Sequence, residues 1–377
     1  MQQLTITQLA KLLIRYIKQG LPTITFGPPG CAKTALVQQI AAALGREYLA
    51  FHPQTDETTK YSGYPWLVKS ENGEVKARHI MFDDFAELLS PSHDRGIIAH
   101  LDDLIQAPKS IQNCLMHPLR ERRIGRHKIH DSVTFVLSSN RRIDRVGGET
   151  VMDTIVSRCA AAWEVRPDVD SFLHGYWYAN NKRPEVAGYL RFRPDHLFHD
   201  PTHKRTTFKP QGSHENYPNF RTWDAVGTVL EMELGADEGA AICAAIGQAV
   251  GGEFAAYLPM ARSIPDVDKL IQHPDLFRLP KELGVLSALV AAMIHRTTTE
   301  TWEPILRICE YLSTSDRADY AGYMLAGLYA KIQAEVRAIT SEPKRTAVTK
   351  AYIQHPQWKR ILDLPMTKLM LADEKVG

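Results

Sequence analysis

The chain has no surplus of charge of either sign. Its 45 lysines and arginines nearly balance 43 aspartates and glutamates, for a formal net charge of +2. That excludes the global basic excess of a protein that holds nucleic acid by electrostatics alone, and leaves only local patches. Cysteine is scarce: Cys31, Cys114, Cys159, Cys243 and Cys309 are scattered, odd in number and never spaced as C-x-x-C. Such a set argues against a disulfide framework or a zinc site and suits a reducing cytosol. No apolar run reaches membrane length, and Leu283 to His295 reads as a buried helix. The opening MQQLTITQLAKLLIRYIKQG carries charges through its apolar positions. It is expected to be an amphipathic helix from near Thr5 or Thr7 to Gly20, neither a signal peptide nor a span. Internal repeats and low-complexity tracts are missing as well. What is there is 377 residues, 44% apolar, enough for two or three globular domains.

The stretch Gly27 to Thr34, GPPGCAKT, lies between an apolar β-branched run (Pro22 to Phe26) and an alanine-rich run with helical spacing that stops at Gly45. A phosphate-binding loop has this strand-loop-helix setting. Glycines at 27 and 30 let successive N–H groups curl around an anion, and the helix start adds partial positive charge. Gly27, Pro28, Pro29, Gly30, Cys31, Ala32, Lys33 and Thr34 are therefore expected to bind a nucleotide. Lys33 reaches the β- and γ-phosphates and the Thr34 hydroxyl holds Mg²⁺. The strict pattern has glycine before the lysine, so Ala32 is accommodated if its backbone is already helical.

Glu47 to His52 reads as a second strand, followed by forty-odd irregular residues with the aromatic segment YSGYPWLV, a turn at Glu71 to Gly73, and an amphipathic piece near Phe82 to Leu89. An insertion of this length points to partner or pore contact. Gly96 to Asp103, GIIAHLDD, places two carboxylates at the end of a buried strand. Asp102 is then expected in the Mg²⁺ shell and Asp103 beside the attacking water. A helix after Pro108 leads to a small hairpin whose flank, Arg120, Arg122, Arg123, Arg126, His127 and Lys128, is the densest basic patch. It reads as a solvated face between subunits, or else as a site for nucleic acid or an acidic partner. The strand from Ser132 to Leu137 ends in Asn140, placed to orient water or sense the γ-phosphate. Arg158, before the strand Ala160 to Val165, is placed by position away from its own phosphates and suits a finger toward a neighbour's, which requires a ring or filament.

The order of these parts resembles the AAA+ ATPases, and the wording of GPPGCAKT, LDDLIQAPKSIQNCLMHPLRERRI and SSNRRIDRVGGETVMDTIVSRC resembles the MoxR-like, dynein-related branch. The match runs through residues 20 to 165 and more loosely to 262. It implies a P-loop α/β core with a parallel sheet (1–165), an α-helical lid (166–262) and an α-helical C-terminal extension (263–377). In that lid Arg221, after NYPNF, is the arginine presented to the nucleotide. The resemblance further implies ATP and Mg²⁺ as ligands, a homo-oligomeric ring, a hexamer, and a protein partner with a von Willebrand A-type domain. Two departures stand out: Asp103 replaces the family's catalytic glutamate, and Ile105-Gln106 replaces Asn-Arg. A carboxylate one methylene short slows hydrolysis, because positioning is most of what phosphoryl transfer needs. The expected activity is thus an ATPase that remodels a partner. The rivals are an ATP-gated scaffold with weak hydrolysis and a nucleic-acid motor using the basic hairpin. His199, His203 and His214 show no ligand spacing for a metal, and neither the composition nor the motifs suggest a membrane.

Overall fold

The computed structural model describes the chain except residues 70–71, 145–149, 199–214, 354 and 357–377. The loop histidines 199, 203 and 214, the Gly147-Gly148 turn, Glu71 and the C-terminal stretch from 357 lie outside the described residues. By contacts the chain divides into two compact units, Met1–Arg166 and Pro167–Gly377.

In the first unit the strands are β1 (Gln2–Leu4), β2 (Thr23–Phe26), β3 (Glu47–Phe51), β4 (Tyr64–Lys69), β5 (Val75–Ile80), β6 (Ile97–Leu101), β7 (Arg123–Ile124), β8 (His127–Lys128), β9 (Val133–Ser139) and β10 (Ala161–Val165). Six of them form one sheet in the order β1-β10-β2-β9-β6-β3, with every pair parallel. β6 and β9 are buried along their whole length, which accounts for their continuous apolar runs. Helix α1 (Ile6–Lys18) starts where the Thr5 hydroxyl accepts the Gln8 N–H and the Gln8 side chain accepts the Thr5 N–H. Its Leu9, Leu13 and Ile17, four residues apart, are buried. Helix α2 (Lys33–Leu44) ends on Gly45 in the left-handed region, as the glycine suggested.

Several elements differ from the sequence reading, each for a local reason. The insertion after β3 holds an antiparallel hairpin, β4 with β5, whose side chains are almost all exposed and so carry no inside-outside alternation. The helix after Pro108 is two pieces, Lys109–Cys114 and Met116–Glu121. Pro118 has no N–H to give to the Cys114 carbonyl one turn earlier, and the helix breaks before it, at Leu115. The small-residue helix from Asp237 is also two, Glu238–Ile246 and Gln248–Arg262, parted at Gly247 with φ +86°. A side chain at 247 would meet the Asn216 carbonyl at 2.7 Å.

Among its described residues the second unit is helical, and it is not divided at 262, where the lid was expected to give way to a separate extension. The helix Pro184–Phe192 packs on Leu283–His295, where Gly188 lets the backbones close up: a Cβ there would lie 2.9 Å from the Ala288 Cα. Trp177 and Trp223 are fully buried, and their indole N–H groups donate to the Arg183 and His196 carbonyls at 2.8 and 3.0 Å. Helix Ala318–Ala338 fits against Leu283–His295 through Gly327, whose added Cβ would meet Ile294 Cδ1 at 2.6 Å.

Alanine is a better helix former than glycine by about 1 kcal/mol, so Gly327→Ala separates propensity from packing. We expect it to lower stability by about 1–3 kcal/mol, and Ile294→Ala in the same chain to recover part of that loss. Denaturant midpoints of the two singles and the double measure the coupling; simple additivity would deny the contact.

His295 ends its helix, where the terminal carbonyls ordinarily favour an imidazolium. Burial, reinforced by the cations of Lys331, Arg296 and Arg183, instead pushes its pKa down to about 4. The unfolded chain takes up a proton near pH 6.5 that the native state refuses. Stability therefore falls as pH drops from about 6.5 to about 4, by at most about 3 kcal/mol, and stops falling on this account below that. Urea midpoints across the window check this, with His295→Gln expected to flatten the slope.

Candidate functional site

Parallel strands end on one side, and the register decides which ends meet. Phe26 pairs with Ser139 and Leu101 with Leu137, so Gly27 comes level with Asn140, and Asp102 with Ser138. The Gly27 N–H extends the ladder to the Ser139 carbonyl at 3.1 Å. From there Gly27 to Ala32 turns back into α2. A Cβ at Gly27 would lie 2.9 Å from Cys31 Sγ and 3.1 Å from Val165 Cβ, so only glycine passes. Gly30 has φ +76°.

Lys33 is buried, and its ammonium donates to the Gly27 and Pro28 carbonyls at 3.0 Å each and to Asn140 Oδ1 at 2.9 Å. Thr34, next along α2, donates its hydroxyl to Asp102 Oδ2 at 2.6 Å. Lys33, Thr34, Asp102 and Asn140, chosen from sequence, are thus brought together at the carboxyl ends of β2, β6 and β9. The Thr34 hydroxyl and Asp102 carboxylate are adjacent hard oxygen donors, the set that Mg²⁺ takes. Cys31 is buried, with its sulfur 3.9 Å from Lys33 Nζ, and burial pushes its thiol pKa up.

A second layer behind Asp102 was not anticipated. His100 is fully buried, two residues before Asp102, with Nε2 3.0 Å from Ser138 Oγ and Nδ1 2.7 Å from the Tyr48 hydroxyl. Ser138 in turn donates to Asp102 Oδ1. Burial pushes the His100 pKa down to about 4, only partly offset by Asp102, so the ring is neutral at pH 7. With the carboxylate as final acceptor, the directions follow: Tyr48 O–H to Nδ1, Nε2–H to Ser138, Ser138 O–H to Asp102. Burial works against the Asp102 carboxylate. His100, the Ser138 and Thr34 hydroxyls and the Asp103 N–H outweigh it and hold its pKa below the ordinary value. The signal for this layer was a histidine inside an apolar strand at the same parity as Asp102, hence on the same face.

Two non-glycine residues of the site are left-handed: Ala32 (φ +64°) and Asp103 (φ +53°). The expectation of a helical Ala32 is corrected: it precedes the first turn of α2 in the conformation that glycine adopts freely. Asp103 follows Asp102 directly and opens the short 3₁₀ turn Leu104–Gln106.

Arg158 is not brought to this cluster. β10 begins level with Thr23, so Arg158 sits at the amino end of the sheet, a strand length of about 13 Å from its own phosphate loop. Its Nη1 donates to the Thr154 carbonyl at 2.6 Å, and its buried Nε has no hydrogen-bond partner among the described residues. Arg221 belongs to the second unit, exposed in the first turn of Phe220–Glu231, a helix capped reciprocally by Asn219 and Thr222. In the basic hairpin region Arg122 donates to the His130 and Val133 carbonyls, Arg123 to the Arg126 carbonyl, and Lys128 pairs with Asp131.

Since a Cβ in the left-handed region costs about 1–2 kcal/mol, part of it returned as glycine's greater chain entropy, Ala32→Gly should stabilise the protein by about 1 kcal/mol. Thermal unfolding measures this; an unchanged or lowered midpoint would refute strain at this position.

No helix among the described residues is long and apolar enough to cross a membrane. Comparison with curated proteins returns no match. Among solved structures, the Thermotoga maritima RuvB Holliday junction branch migration motor is similar at 14% identity over 83% of this chain and 89% of its own, with a TM-score of 0.36. NtrX from Brucella abortus in complex with ADP is similar at 14% identity over 92% and 67%, with a TM-score of 0.35. Residues 22–158, from the strand before the phosphate loop to Arg158, match the family model of the AAA domain of the dynein-related subfamily, and with the loop and sheet order above they form an AAA+ P-loop core.

Proposed function

We propose that the protein is an ATPase of the MoxR-like branch that works in a homo-oligomeric ring, a hexamer, and remodels a partner protein. The observation that carries the nucleotide half is the convergence of Lys33 with Asn140 and of Thr34 with Asp102. A buried ammonium whose partners among the described residues are all uncharged is matched to an anion, and the triphosphate oxygens would take the place of the Gly27 and Pro28 carbonyls. Thr34 and Asp102 would hold Mg²⁺, which when bound neutralises charge on the β- and γ-phosphates.

Asp103 accepts the proton of the attacking water, and Asn140 orients that water or reads the γ-phosphate. The Tyr48–His100–Ser138 chain fixes the Asp102 carboxylate, so that its orientation does not depend on the nucleotide. Arg158 lies at the end of the sheet opposite its own loop, and its Nε has no partner among the described residues, which supports its completing a neighbour's site rather than its own. Arg221 in the helical unit contacts the phosphates and links hydrolysis to movement of that unit. The resemblance favours a partner bearing a von Willebrand A-type domain. The cytoplasm is the compartment that unpaired cysteines suit.

Phosphate release and nucleotide binding test this together. Lys33→Ala should abolish both, whereas Arg158→Ala should lower turnover by about 10³-fold or more with little change in affinity. A mixture of the two variants should regain activity, because some interfaces then pair an intact loop with an intact finger. No recovery in the mixture would mean that sites are not shared. Asp103→Glu should raise turnover; ATP-dependent assembly without phosphate release in either form would mean that the protein is a scaffold.

A further inference from the structure

The β4–β5 hairpin is unused by the nucleotide site, and its composition is unusual for an exposed element. Tyr64 and Trp66 are 54% and 56% exposed, and Lys76, Arg78 and Ile80 are exposed too. The register sorts these residues by face. Tyr64 pairs with Ile80, Trp66 with Arg78 and Val68 with Lys76, and partners across an antiparallel pair share a face. Tyr64, Trp66 and Val68 therefore form one column, and Ile80, Arg78 and Lys76 the column beside it. Two aromatic rings run along one strand, and a guanidinium and an ammonium run along the other. Lys76 pairs with Glu74 at 2.7 Å, an exposed pair that holds it only weakly. Leu67, Val75 and His79 lie on the opposite face.

The chain enters the hairpin at Gly63, with φ +83°, where an added Cβ would meet His79 Cβ at 2.9 Å and the Ile80 carbonyl at 3.2 Å. The entry is therefore tightly specified even though the two faces are bare. A two-stranded ribbon is marginal on its own in water, and apolar rings left this exposed favour a ligand that covers them.

We propose that this face binds single-stranded nucleic acid. The choice over other ligands rests on the repeat of the chemistry. A single strand alternates a flat apolar base with an anionic phosphate, and the face offers a column of rings beside a column of cations. Bases stack on Trp66 and Tyr64 while phosphates sit on Arg78 and Lys76. An acidic polypeptide would meet the same cations but would need aromatic and acidic side chains in strict alternation to use both columns. This binding goes beyond the ATPase reading and does not depend on it. The near-neutral net charge makes the affinity local rather than global, so it should show a shallow salt dependence.

Anisotropy of fluorescein-labelled (dT)15 titrated with the full chain tests the proposal without ATP. Binding should weaken about sevenfold between 50 and 200 mM salt if two phosphates are neutralised. Trp66→Ala should weaken it by at least about fivefold, and Arg78→Ala should weaken it and flatten the salt dependence. Both positions are exposed, and unchanged circular dichroism and thermal unfolding would show that the variants fold. Failure to bind (dT)15 at 50 mM salt overturns the proposal. So does binding that survives both hairpin substitutions, or that is lost instead on changing Arg123 and Arg126 to alanine. Equally tight binding of poly-glutamate, insensitive to Trp66→Ala, would reassign the face to acidic protein. Failure of the ATPase experiments would leave all these outcomes unchanged.

Discussion

The parallel register of β2, β9 and β6 is what the rest of the site depends on. Gly27 level with Asn140 lets one lysine reach carbonyls of its own loop and the carboxamide of the next strand. Asp102 level with Ser138 lets a carboxylate meet the hydroxyl that follows that lysine. A slip of one residue in either pair would turn every side chain to the other face of the sheet. Buried, almost featureless side chains such as Ile24, Ile98, Val136 and Leu137 thus set the chemistry, because burial on both faces makes any other register expensive.

Charge is handled differently on the two sides of the cluster. The Lys33 ammonium is buried among neutral acceptors, which satisfy its hydrogens without neutralising it and keep its field available to an incoming anion. Asp102 is half-buried and kept ionised by donors, but the deepest member behind it, His100, is uncharged. A protonated imidazole there would compete with a cation for the carboxylate. A neutral one orients the carboxylate through Ser138 and leaves its charge uncompensated from that side.

Legibility in the sequence followed the physics of each signal. Helix Leu283–His295 and the end of α2 at Gly45 could be placed to the residue, since a long apolar run and a left-handed glycine are local and strong. Asp102 and Asn140 could be placed because each directly follows a strand, and Lys33 and Thr34 because they open the helix after the loop. The edge strand Gln2–Leu4 was not: it has three residues, two of them exposed, and exists only because β10 offers a free edge. The β4–β5 hairpin escaped because periodicity reports burial, and its sides are exposed. The Tyr48–His100–Ser138 chain joins residues from three strands, and only the sheet order brings them together.

Asp103 joins backbone and chemistry in one residue. Its left-handed backbone is a conformation that aspartate enters more readily than glutamate, because a short polar side chain can bond locally. The short carboxylate and the unusual backbone are therefore coupled, and the missing methylene need not be an isolated loss. The local cost of a longer side chain there is on the order of 1 kcal/mol, borne by the folded chain in every state. The benefit of reach appears only in the transition state, where a misplacement near an ångström costs about 10²-fold, or nearly 3 kcal/mol. If Asp103 is the proposed catalytic carboxylate, reach outweighs backbone strain, and glutamate at this position would gain more in rate than it loses in stability.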